Sequence, residues 1–211
     1  MNSNGLFTPL TPCLPWVLGI GAMILFASDV ISIILNPQYN PVGETISEIV
    51  HYPSGWIITI GMTAMVVMHT LLTAVLISSP ASRCHRLVRF AGIIFAIIAL
   101  GFVIIMVFRT DPGKEIITLG GGIHIGTAVG ISILFPIACG SLAIALWHHR
   151  KSEILIIFSA IIAVVSLFVA WQAMPQNDVG YTGANERLLV LINLSWLVMA
   201  GFRLPRLLSI C

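Results

Sequence analysis

The chain has 211 residues, of which 58% are hydrophobic and only 9% charged, with a formal net charge of +2. Soluble domains carry about 25% charged residues, so a water-exposed surface is excluded for most of this chain and lipid is its solvent. No basic run or aromatic–basic interleaving is present, which sets nucleic acid aside.

Taken in order, Met1 to Pro15 contains no Lys or Arg. A signal peptide begins with positive charge, so the first apolar run reads as a retained helix. A lipid-spanning helix needs about 20 apolar residues. Spans are predicted at about 16–35, 56–77, 90–108, 126–147, 154–171 and 186–203. Asn36-Pro37 closes the first, Pro53-Ser54-Gly55 precedes the second, Ser78-Ser79-Pro80 ends it, Asp111-Pro112-Gly113 follows the third and Pro175 follows the fifth. Pro136 falls inside the fourth. Open strands cannot cross lipid with unpaired edges. The predicted class is therefore all-α, a polytopic membrane helix bundle forming one integral membrane domain over 1–211. The four scattered cysteines, Cys13, Cys84, Cys139 and Cys211, read as buried or membrane-face thiols, not as a disulfide framework or a metal site.

Basic residues orient the spans. Seven (Arg83, Arg86, Arg89, Arg150, Lys151, Arg203, Arg206) fall on one side and three (Arg109, Lys114, Arg187) on the other. The positive-inside rule makes the first side cytoplasmic. The expectation is a cell membrane protein, inner or plasma, with both termini in the cytoplasm. Acidic residues have the opposite bias: Glu44, Glu48, Asp111, Glu115, Asp178 and Glu186 all fall on the outer side, with His51 and His124. Asp29 lies within the first span, roughly 9 Å deep at 1.5 Å per residue.

The first outer loop predicts a short amphipathic helix. An α-helical reading of 44–51 places Glu44, Ser47, Glu48 and His51 on one face and Ile46, Ile49 and Val50 on the other. Two carboxylates and an imidazole so aligned suit a satisfied hydrogen-bond network, a divalent metal or acid/base work. Metal candidates are Glu48, His51 and His124. In the second outer loop, Arg109 suits the negative end of its helix dipole, Asp111 opens a turn, and Gly120-Gly121-Gly122 reads as a mobile connection before His124, at or near the first turn of span four. In the third, Glu186 suits a helix start but Arg187 does not. Asp178, Asp111, Glu48, Asp29 or a bound anion should compensate it. A carboxylate within a span is costly, about 2.5–3.5 kcal/mol, so Asp29 should face inward and be paired or protonated. His69 and Asn193 are candidates for buried interhelical hydrogen bonds.

Several of these residues form a pattern. Tyr39, Pro41 and Ile46-Ser47-Glu48 follow span one. Phe108-x-x-Asp111 follows span three, His124 opens span four, and Gly183-x-x-Glu186-Arg187 opens span six. Together they resemble the domain of unknown function family 998, small six-helix bacterial and archaeal membrane proteins, over nearly the whole chain. The family often has Ser-Asp where Ser47-Glu48 stands and Phe-Pro-x-Asp where Phe108-Arg-Thr-Asp111 stands. The resemblance implies a fold and a residue cluster, and supplies no reaction.

The functional expectation is an outward-facing polar pocket. Ser47, Glu48, His51, Asp111, His124, Glu186 and Arg187 would line it, with Asp29 at its floor. A small polar molecule or a lipid-like amphiphile would bind there. Hydrolysis or group transfer would use Glu48 or His51 as base, His124 as acid or second ligand, and Arg187 as phosphate or oxyanion partner. The alternative is a non-enzymatic transporter or an accessory subunit with a membrane-protein partner. In either case the lipid bilayer surrounds the chain.

Overall fold

Backbone groups in lipid have no water to bond, so each apolar run must satisfy its N–H and C=O groups internally. Six long helices do so: α1 (Leu14–Leu35), α2 (Trp56–Ser78), α3 (Arg86–Val107), α4 (Leu119–Leu146), α5 (Glu153–Gln172) and α6 (Thr182–Leu208). Each is long and apolar enough to cross a membrane. The computed structural model describes residues 10–113, 116–147, 153–172 and 180–208, and among them there is no strand. Lys114, Glu115, Arg150, Lys151, Pro175, Asp178 and Cys211 lie outside the described residues.

The helices alternate in direction. Each packs on its chain neighbours, and α6 closes back onto α1, so the bundle is a ring. Large apolar side chains cover its outside: Met23, Ile34, Val164 and Phe168 are each more than 60% exposed. A soluble protein would bury them. Trp16 and Trp147 mark one rim and Trp56 and Trp171 the other, all exposed, as interfacial aromatic belts require. One end carries Arg83, Arg86, Arg89, Arg203 and Arg206; the other carries the loops after α1 and α3 and the start of α6.

Aromatic rings fill the ring's centre. Phe95 stacks on Trp196 at 5.5 Å between centroids, and Phe135 meets both edge-on. Trp196 is fully buried. Its Nε1–H donates to Ser159 Oγ at 2.8 Å, and Ser166 Oγ donates to Asn193 Oδ1 at 3.0 Å. Lipid tails are as apolar as these side chains, so close packing and such hydrogen bonds hold the helices together. Asn193 thus makes the interhelical bond anticipated for it. His69 does not: its Nδ1 lies 2.7 Å from Met65 O within α2.

Three expectations are corrected. Helix α4 starts about two turns before the predicted 126. Thr118 caps it by accepting the Gly121 N–H at 3.0 Å, so Gly120-Gly121-Gly122 is its first turn and no mobile connection. His124 consequently stands in the second turn. Cysteine chemistry also differs at Cys84, which is disulfide-bonded, whereas Cys13 and Cys139 are free thiols.

Candidate functional site

The connection after α1 is held at both ends. Asn36, at the helix terminus, donates through Nδ2 to Ser32 O at 2.7 Å and to Ser54 Oγ at 2.5 Å. Between them lies the anticipated short helix, with a tighter pitch: it is a 3-10 helix over Ile46–His51. Thr45 and Glu48 form a capping box. The Glu48 N–H donates to Thr45 Oγ1 at 3.3 Å, and Glu48 Oε2 accepts the Thr45 N–H at 2.7 Å. The Thr45 hydroxyl also donates to Glu48 Oε2 at 2.9 Å.

Pitch changes which residues share a face. A 3-10 helix has three residues per turn, so positions i and i+3 eclipse. Ile46 and Ile49 stack into the core. Ser47 stands above Val50, and Glu48 above His51. Glu44 precedes the helix: its carboxylate accepts the Asn40 N–H at 3.0 Å and the Tyr52 hydroxyl at 2.7 Å. That bond to Glu44 pushes the Tyr52 phenol up to about 12, with burial adding to it.

Arg187 is the compensated cation. Its Nε and Nη2 donate to the two Asp29 oxygens at 3.0 Å each, a bidentate pair. Nη2 also reaches Tyr39 Oη at 2.6 Å. Nη1 donates to the carbonyls of Pro41 (2.8 Å), Glu44 (3.1 Å) and Gly183 (3.2 Å). The guanidinium lies 5.4 Å from the Tyr39 ring centroid. Tyr39 Oη is 2.6 Å from Thr45 O, and burial raises its phenol above the usual range. One residue earlier, Glu186 Oε2 accepts the Ile46 N–H at 2.5 Å. The Ala184 N–H donates to Val42 O at 3.0 Å. A Cβ at Gly183 would collide with Glu44 O, so only glycine admits this approach of backbone to backbone. Gly183, Glu186 and Arg187 therefore act together, fastening the first loop to α6.

Asp111 is similarly occupied. Its Oδ2 accepts the N–H groups of Ile117 and Thr118, both at 2.9 Å, and Oδ1 accepts the Thr118 hydroxyl at 2.8 Å. The Thr118 backbone and hydroxyl bonds come first among the influences that hold its carboxyl below the usual range. A Cβ at Gly121 would overlap this carboxylate. His51 Nε2 lies 3.0 Å from Thr110 O. His124 is buried, with Nδ1 2.7 Å from Phe108 O and 3.2 Å from Ile105 O. Two carbonyl acceptors place the proton on Nδ1 and leave Nε2 as a lone pair when the ring is neutral.

Two cavities meet at this end of the bundle. The larger, about 330 Å³, lies between the 3-10 helix, α2, the end of α3 and the start of α4. Arg109, Thr110, Tyr52 and Ser47 are its polar walls, and Trp56, Ile58, Met62, Ile105 and Met106 its apolar ones. The smaller, about 120 Å³, runs between α4, α5 and α6, with Glu48, Glu186, Thr45 and Thr182 facing Val129, Ala170 and Leu189. Ser47, Thr110 and His124 line both.

A family model described as protein of unknown function (DUF998) matches residues 19–203. The chain belongs to that family. No curated protein and no solved structure matches it. In this DUF998 protein, Tyr39, Asp111, Gly183, Glu186 and Arg187, which carried the resemblance, make the fastenings just described. Ser47, Glu48, His124 and Glu186 line cavities, so Glu186 does both.

Of the anticipated pocket residues, Asp29, His51, Asp111 and Arg187 line neither of these cavities. Among the described residues, no group of three or more His, Cys, Asp or Glu side chains is placed to hold a metal ion. The imidazoles of His51 and His124 and one oxygen of Glu48 are engaged by backbone or by Thr45 instead. Thr110, Tyr52, Arg109 and Ser132 were not anticipated as lining. The run Arg109-Thr110-Asp111 held the signal for two of them, since a cation and a hydroxyl beside a buried turn acid share its location.

Proposed function

We propose that this integral membrane protein binds an amphiphile in the larger cavity, entered from the non-cytoplasmic leaflet. The observation carrying this reading is a volume of about 330 Å³, within the range of ligand sites. Its polar groups, Arg109, Thr110, Tyr52 and Ser47, face apolar residues of two spans. A headgroup fits the polar wall and an acyl chain fits Met62, Ile58 and Ile105. Native mass spectrometry of the purified protein should detect retained lipid. Met62→Trp, which fills the apolar part, should remove it while the protein stays folded. Full retention in that variant would sink the proposal.

A membrane-embedded hydrolase or transferase is the second reading. It is favoured by Ser47 and His124 lining both cavities, a hydroxyl and an imidazole with an uncommitted nitrogen. Labelling of Ser47 by a fluorophosphonate, lost in His124→Ala, would support it; no labelling at any pH from 6 to 9 would count against it.

A further inference from the structure

The smaller cavity differs chemically from the larger one. Its described lining holds no Lys or Arg, and it contains two carboxylates, those of Glu48 and Glu186. Acidic residues alone are not a site. The second observation is His124, which is 5% exposed and lines the same cavity. Its proton is held at Nδ1 by Phe108 O and Ile105 O, so its other nitrogen is an acceptor that has no partner among the described residues. Each carboxylate is half used. Glu48 spends Oε2 on Thr45 and Glu186 spends Oε2 on the Ile46 N–H. The remaining oxygen of each is unengaged among the described residues. Glu48 is 7% exposed and lines this cavity.

Three residues, each with one uncommitted acceptor, thus line a volume of about 120 Å³, room for only a few water-sized groups. They are not arranged as a metal cage. Their natural complement carries positive charge and three outward N–H donors, which describes a primary ammonium. A quaternary ammonium has no donor and is wider. The neighbouring cavity offers Arg109, a guanidinium suited to phosphate, and the two cavities share Ser47, Thr110 and His124.

Resting on the amphiphile reading above, we propose that the smaller cavity takes a primary ammonium group. With phosphate at Arg109, the two cavities together recognise a zwitterionic aminoethyl-phosphate headgroup. The ammonium arrives either on a lipid or as a free small amine, and the test separates the two.

Purified protein in detergent is titrated with phosphatidylethanolamine, phosphatidylcholine, phosphatidylglycerol and free ethanolamine, with binding read by native mass spectrometry and calorimetry. The ethanolamine lipid should bind about tenfold or more tightly than the choline lipid, the loss expected when charge-assisted hydrogen bonds go unmade. Glu48→Gln and Glu186→Gln keep an acceptor for Thr45 and Ile46 and remove the charge, so they should narrow that preference to within about threefold. Ala128→Leu, which fills the cavity and leaves both carboxylates in place, should do the same if it folds. Binding of ethanolamine lipid or of free ethanolamine that depends on Glu48 and Glu186 supports the site and names the source. Equal binding of ethanolamine and choline lipids with no binding of free ethanolamine overturns it, as does a preference untouched in both Gln variants. If lipids bind without headgroup preference and Met62→Trp abolishes them, this inference falls and the amphiphile reading stands. If free ethanolamine binds and no lipid does, the amphiphile reading falls and the ammonium site stands.

Discussion

Asp29 and Arg187 are 158 positions apart in the chain, yet each is the other's principal partner. Both side chains are about 15% exposed, so removing one leaves the other with little water to turn to. Arg187→Ala should destabilise the protein by about 3–5 kcal/mol, read by thermal unfolding in detergent. The double variant Asp29→Ala/Arg187→Ala should lose less than the sum of the two single variants, because neither charge is then stranded. An additive result would mean that the pair is not coupled. Sequence reasoning identified Arg187 as a cation in need of compensation and named Asp29 among its partners. It could not choose between them, since partner choice depends on where a loop fold delivers backbone carbonyls. Asp111 carries a pH prediction. Its carboxyl is held below the usual range by Thr118, so its contribution is full above the ordinary carboxylate value, about 4, and is lost as pH falls through the depressed one. Protection factors for hydrogen exchange at the Ile117 and Thr118 amides should fall on acidification below that range, and Asp111→Asn should remove the pH dependence. Unchanged protection down to pH 2 would contradict it.

At the scale of elements, the loop between α1 and α2 owes its form to backbone contacts as much as to side chains. Gly183 is the clearest case. Substitution by alanine sets a methyl group against Glu44 O, which should cost on the order of 1–3 kcal/mol and release the first loop from α6. Limited proteolysis between Asn40 and Thr45 should then become faster than in the unsubstituted protein. If Gly183→Ala unfolds and digests like the parent, that packing is not tight. The 3-10 helix shows where periodicity misled. Glu44, Ser47, Glu48 and His51 fit a 3.6-residue repeat, but a six-residue helix capped by Thr45 takes the three-residue repeat instead, which moves Glu44 off it and pairs Glu48 with His51. A short loop segment is set by its caps and neighbours, and hydrophobic spacing resolves that poorly. Span four was misjudged for a related reason. Three consecutive glycines read as a break, whereas the Thr118 cap starts a helix there and Gly121 makes room for the Asp111 carboxylate in its first turn.

For the whole molecule, the spans were the legible part, because lipid imposes one rule on every apolar run. That the ring closes from α6 to α1 was not legible, since helix neighbours depend on side-chain packing that no hydropathy window records. The arginine-rich end carries a prediction of direction across the membrane. The cytoplasm should face Arg83, Arg86, Arg203 and Arg206. A green fluorescent protein fused after Cys211 should fluoresce in cells, and alkaline phosphatase inserted after Gly113 should be active. The reverse pattern would invert the assignment.

The fastening of Asp29 to Arg187 also has a consequence in time. A ribosome adds about 5–20 residues per second, so the 158 positions between them take on the order of ten to thirty seconds to synthesise. Through that interval Asp29 exists without Arg187. A nascent chain halted before its last helix therefore lacks the guanidinium that answers Asp29 in the finished fold.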